Sequence, residues 1–125
     1  MGQNNIFAGL SYLLGWIVAL IVFVVAKDDK FARFHALQSI LWTVVYFVAA
    51  MASLIVAVVC MFVLGIVGAA LNLGGITAVL TFVPFALPLL VMLAAFLYWL
   101  WAMIQAFTGK WYKLPFIGNF AESHA

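Results

Sequence analysis

Charge is what this sequence has least of. Five basic and three acidic residues, 6% of 125, carry all of it, and between Lys30 and Lys110 the only charged residue is Arg33. A soluble domain cannot hide so much uncharged, apolar chain. With 70% hydrophobic residues and a mean hydropathy of +1.33, the composition is that of a polytopic membrane protein. The scarcity reaches every residue type that does chemistry. The acids are Asp28, Asp29 and Glu122, the histidines His35 and His124, and Cys60 stands alone. One chain therefore assembles no metal cluster and no disulfide, and Cys60 is expected to be an inert small hydrophobe. His35 could ligate haem only across a dimer or with a partner's ligand. Ser39 has His35 four residues away but no acid to orient it, so hydrolysis is unsupported. No enzyme, cofactor, catalytic residue or metal site is expected. The net charge of +2 sits at segment ends and forms no basic stripe, which excludes nucleic acid as a partner.

What is present is long apolar runs, and one domain of transmembrane helices fits them. The run 6–26 follows an uncharged leader with no basic region or cleavage site, so it reads as a retained helix. Met1-Gly2 invites N-acylation, but Asn5 and Ile6 stand where Ser or Thr is required. The second run is too long for one straight crossing, yet residues 52–59 contain no turn former, so it reads as one helix over about 31–60. A looser segment around Gly65, Gly68, Asn72, Gly74 and Gly75 then leads to a third helix over 76–108, kinked at Pro84 and Pro88. Residues 109–125 form a short interfacial tail. The expected fold is an all-α bundle of three transmembrane helices, with four as the alternative.

Charge placement favours three. Lys27, Lys30 and Arg33 lie in the first loop and Lys110 and Lys113 follow the last helix, so three spans put both clusters on one side. By the positive-inside rule that side is cytoplasmic, giving an outside N-terminus and an inside C-terminus in a prokaryotic inner membrane. Trp99, Trp101, Trp111 and Tyr112 fit an aromatic belt at the inner end.

Within the first loop, Asp28 or Asp29 is placed to cap the second helix, with Lys27, Lys30 and Arg33 setting orientation. Beyond it His35, Ser39, Thr43, Tyr46 and Ser53 share one helix face. They serve either as hydrogen-bonding glue between helices or as a hydrated groove with His35 as a proton-sensitive group at its mouth. Ser11, Gly15 and Ala19 on the first span, and Ala49, Ser53 and Ala57 on the second, form small-residue ridges suited to helix packing. In the tail, Pro115 blocks a continuous helix. That segment either seals the helix ends or, with Lys110, Trp111 and Lys113, docks a partner or anionic lipid.

Three strings carry a resemblance: Ser11-Tyr12-Leu13-Leu14-Gly15-Trp16, Lys27-Asp28-Asp29-Lys30-Phe31-Ala32-Arg33-Phe34-His35-Ala36-Leu37-Gln38-Ser39, and the tail from Gly109 to Glu122. Together they resemble a family of small bacterial and archaeal membrane proteins related to the small multispanning subunit of the chloroplast inner-envelope import translocon. The resemblance implies a role in moving proteins across a membrane, although those plant relatives have four spans. Three functions follow as expectations. The first is a non-enzymatic accessory or scaffold subunit, bound to membrane-protein partners or to itself. The others are a component of protein translocation or insertion, and a homo-oligomeric small-solute channel.

Overall fold

The computed structural model describes residues 4–13 and 15–125; Met1 and Gly2, weighed above as an acylation signal, lie outside it, as does Leu14. The described elements are α1 (Asn5–Leu13), α2 (Trp16–Val25), α3 (Lys30–Ala70), α4 (Gly75–Phe82), α5 (Ala86–Phe107) and α6 (Gly118–Ser123), with a 3-10 stretch, Val83–Phe85, between α4 and α5. There is no strand among the described residues. The chain divides into two compact units, Met1–Val45 with Phe96–Ala125, and Tyr46–Ala95.

In the first unit, the run 6–26 is not one helix. Gly15 takes φ 92° and ψ −176°, a backbone state that side chains disfavour, and it separates α1 from α2. The two helices have 9 and 10 residues, each about 15 Å long, or half a hydrocarbon core. They pack against each other, and the Asn4 N–H donates to Asp29 Oδ2 at 2.6 Å. The start of α1 thus returns to the loop after α2, and a helical hairpin replaces the expected single span. Apolar composition specified burial, not helix continuity. Ser11, Gly15 and Ala19 consequently form no single ridge, since Gly15 is the break between the other two.

The same carboxylate starts α3. Asp29 Oδ1 accepts from the Ala32 N–H at 3.1 Å, while Asn4 Oδ1 accepts from the Phe7 N–H at 3.0 Å at the start of α1; both are N-caps satisfying an otherwise unpaired donor. Arg33 reaches back to α2, where Nη1 donates to the Phe23 carbonyl at 2.7 Å and the guanidinium lies 4.0 Å from the Phe23 ring centroid. Ala19, Val22, Ala32 and Ala36 pack between these helices, their small side chains allowing close approach.

In the second unit, α3 continues through Gly65 and Gly68 to Ala70 instead of loosening near Cys60. Gly68 faces α4, where a Cβ would come within 2.5 Å of the Thr77 side chain. Glycine there opens room for the returning helix, which offsets its cost of about 1 kcal/mol in a helix interior. The helix ends in a Schellman motif: Asn72 adopts φ 51°, the Leu73 N–H donates to Gly68 O at 3.0 Å, and the Asn72 N–H to Ala69 O at 3.2 Å. Pro84 falls in the 3-10 stretch, and Pro88 in the first turn of α5, where a helix needs no donor. Among the described residues, two stretches rather than three are long and apolar enough to cross a membrane, Lys30–Ala70 and Gly75–Phe107. Val59, Phe62, Val63, Ile66, Leu89 and Leu90 on them are all exposed, as lipid-facing residues are.

Candidate functional site

Three buried polar side chains of the first unit lie on one turn of α3. His35 and Gln38 are 0% exposed and Ser39 3%. Because these residues lie three and four apart, they share a face near the helix start. Around the imidazole, Phe31, Phe34 and Tyr12 present edges with centroid distances of 4.7, 4.8 and 5.4 Å. Trp111 closes over this box, 5.3 Å from Phe31 and 5.0 Å from Phe34.

The hydrogen bonds form a closed set. Gln38 Nε2 donates to Tyr12 Oη at 2.7 Å and to the Tyr112 carbonyl at 2.9 Å, and Gln38 Oε1 accepts from the Leu114 N–H at 2.9 Å. His35 Nε2 lies 2.9 Å from the Lys110 carbonyl, which can only accept, so Nε2 carries the proton. Tyr12 Oη, already accepting from Gln38, is 2.7 Å from His35 Nδ1 and donates its hydrogen there. A neutral imidazole protonated on Nε2 satisfies every partner, a tautomer assigned from the network itself.

Breaking α1 leaves its last carbonyls without intrahelical partners, and side chains from other elements supply them. Ser39 Oγ donates to Ser11 O at 2.7 Å and Trp99 Nε1 to Tyr12 O at 3.0 Å. Irregular backbone at membrane depth is tolerated only where the protein covers it. On the other side, α5 ends at Phe107 and is capped through Gly109 (φ 80°), with the Lys110 N–H bonded to Gln105 O at 2.9 Å. That cap turns the chain back so that Lys110, Tyr112 and Leu114 present their backbone to α3.

The expected polar face is divided. His35 and Ser39 enter the network, and His35 is enclosed rather than set at a groove mouth. Thr43 is exposed and bonds the Ser39 carbonyl of its own helix at 3.0 Å. Tyr46 is half-buried. Ser53 is buried and bonds Ala50 O at 2.9 Å; Ala49 is half-buried and Ala57 buried beside it. Lys27, Asp28 and Lys30 are exposed at the loop. In the tail, Lys113 pairs with Glu122 at 3.2 Å, Lys110 contributes its carbonyl, and Pro115 is half-buried. Tyr12, Gln38 and Trp99 were not among the expected site residues. Tyr12 and Gln38 stand inside the quoted strings, and a glutamine within an apolar helix was itself the available signal.

Chemically, this arrangement is a lock. It ties the hairpin, the base of α3 and the tail together, and Ser39 points its hydroxyl away from His35. Among the described residues, no three His, Cys, Asp or Glu side chains gather to hold a metal ion.

Comparison with known proteins places the chain. A UPF0132 membrane protein of Methanocaldococcus jannaschii is 32% identical over 125 residues, covering 98% of this chain and 89% of the relative. A UPF0132 membrane protein of Archaeoglobus fulgidus is 28% identical over 123 residues, covering 96% and 93%. A second from M. jannaschii is 28% identical over 122 residues, covering 98% and 70%. No solved structure matches the chain. These relatives are archaeal membrane proteins, and none of them bears a translocon name; that link rests on the three strings alone. Residues 3–121 match one family model almost end to end, so the chain belongs to the magnetosome magnetite crystal formation protein family.

Proposed function

We propose that this protein is a non-enzymatic scaffold, an accessory subunit that presents a rigid cytoplasmic platform to a larger membrane assembly. The observation that carries this reading is the closed network. Both His35 nitrogens and all three Gln38 hydrogen bonds are committed to Tyr12 and to the tail backbone, so these buried side chains hold shape.

The platform's sidedness follows from charge. All five basic residues belong to the first unit, and Asn4 is tied to Asp29 in the first loop. The start of α1, the loop and the tail therefore share a side, which the positive-inside rule makes cytoplasmic. Two crossings with a hairpin that enters and returns would put both chain ends inside, in place of the outside N-terminus expected from three spans. The family description names magnetite crystal formation. In such a role this chain would organise a membrane site rather than ligate iron, because it has three carboxylates in all and Asp29 already accepts two backbone amides.

The test is extraction from native membranes in mild detergent, followed by native electrophoresis and mass spectrometry. A stoichiometric larger assembly is expected. Migration alone as a monomer or homo-oligomer sinks the accessory reading, and conductance of that isolated form would make it a channel.

A further inference from the structure

The tail also carries an aromatic ring that the protein leaves uncovered. Residues 114–118 form a turn closed by the Gly118 N–H donating to Leu114 O at 3.0 Å. Leu114 and Ile117 are buried, and Gly118 lies so close to Lys113 that a Cβ would overlap its side chain and backbone. Between these anchors Phe116 is 94% exposed with φ 73°. Left-handed backbone is unfavourable for a bulky L residue, and a phenyl ring in water gains nothing to offset it. Water-facing turn positions of this kind suit Gly, Asn or Asp. A ring held there by buried flanking residues has a use only if its surroundings are apolar.

We propose that Phe116 is a wedge that inserts into the interfacial layer of the bilayer and pins the tail to the membrane surface. Three observations favour lipid as the occupant. The membrane-crossing stretch ends at Phe107, nine residues earlier, which keeps the turn near the headgroups. Trp111 and Phe120 are also exposed on this tail, and aromatic residues concentrate at that layer. Lys110 is exposed beside them, which matches anionic headgroups. The inference rests on membrane location and not on the scaffold role, so the two fail separately.

The full chain carrying Cys60→Ala and Phe116→Cys, spin-labelled and reconstituted in nanodiscs of mixed phosphatidylglycerol and phosphatidylcholine, reads the depth of this position. The label should collide with oxygen and be shielded from a water-soluble nickel chelate, like one on Val63 of α3 and unlike one on Ser123. Nickel access equal to that at Ser123 overturns the proposal, and shielding that then appears only in native membranes would give the patch to a protein partner. A second variant separates insertion from backbone strain. Phe116→Asn should speed hydrogen exchange of residues 114–120 in nanodiscs by roughly tenfold. Unchanged or slower exchange overturns the wedge, since asparagine suits this backbone better and would tighten a turn whose ring did nothing.

Discussion

The two units solve the same problem, a chain with almost no charge, in opposite ways. The first gathers its polar side chains inward and spends them on backbone groups freed by broken helices: Ser39 and Trp99 on α1, His35 and Gln38 on the tail. The second keeps its helices long and caps their turn with its own backbone at Asn72, so Ser53 needs only a carbonyl of its own helix. Regular helix satisfies itself and can face lipid. Irregular backbone must be covered, and covering it requires side chains from distant parts of the chain. The difference teaches where specificity lies, because the first unit depends on particular partners and the second on shape and hydropathy.

Gln38→Leu should break the contrast most severely. It leaves the Leu114 N–H and Tyr112 carbonyl unpaired and Tyr12 Oη without its donor, at about 1–3 kcal/mol for each buried group stranded. Thermal unfolding in detergent should show a loss of at least about 3 kcal/mol. Hydrogen exchange should rise across 110–125 while 50–95 stays protected. Equal loosening of both units would show that they do not depend on different interactions.

Gly68→Ala attacks the second unit through shape. The added methyl meets Thr77, and overpacking of this kind costs about 1–3 kcal/mol. Thr77→Ala should restore most of it, because the collision is with that side chain. No rescue in the double variant would mean that the glycine serves backbone flexibility instead.

Ser53→Ala sharpens the comparison from the weak end. A hydroxyl that returns to Ala50 of its own helix adds little, so the change should be within about 0.5 kcal/mol. Ser39→Ala, which strands the Ser11 carbonyl, should cost about 1–3 kcal/mol by the same assay. Similar values for the two serines would erase the distinction between inward-directed and self-satisfied polar groups.

How far these features were legible depends on the range of the forces behind them. A helix cap could be read at Asp28 or Asp29 from their neighbours, since a capped amide lies only three residues on; the structure uses Asp29. The basic clusters and the apolar runs likewise needed only local counting. The Gly15 break was not legible: a lone glycine in an apolar run is compatible with either a straight helix or a reversal. Thr43 and Ser39 were indistinguishable by spacing, yet one faces outward and the other meets α1. Tyr12 and Gln38 were visible as residues but not as a site, because Gln38 binds backbone at 112 and 114, and a backbone carbonyl has no signature in sequence.

The sequence by itself determined that the chain belongs in a membrane and that its charged residues gather at the first loop and the tail. Those properties follow from transfer free energies, which add residue by residue. Only the tertiary structure decided that the first run folds back, that His35 is enclosed, and that Phe116 is left outside. The first two depend on which polar groups meet across more than twenty residues of chain, and that pairing is fixed by packing in three dimensions.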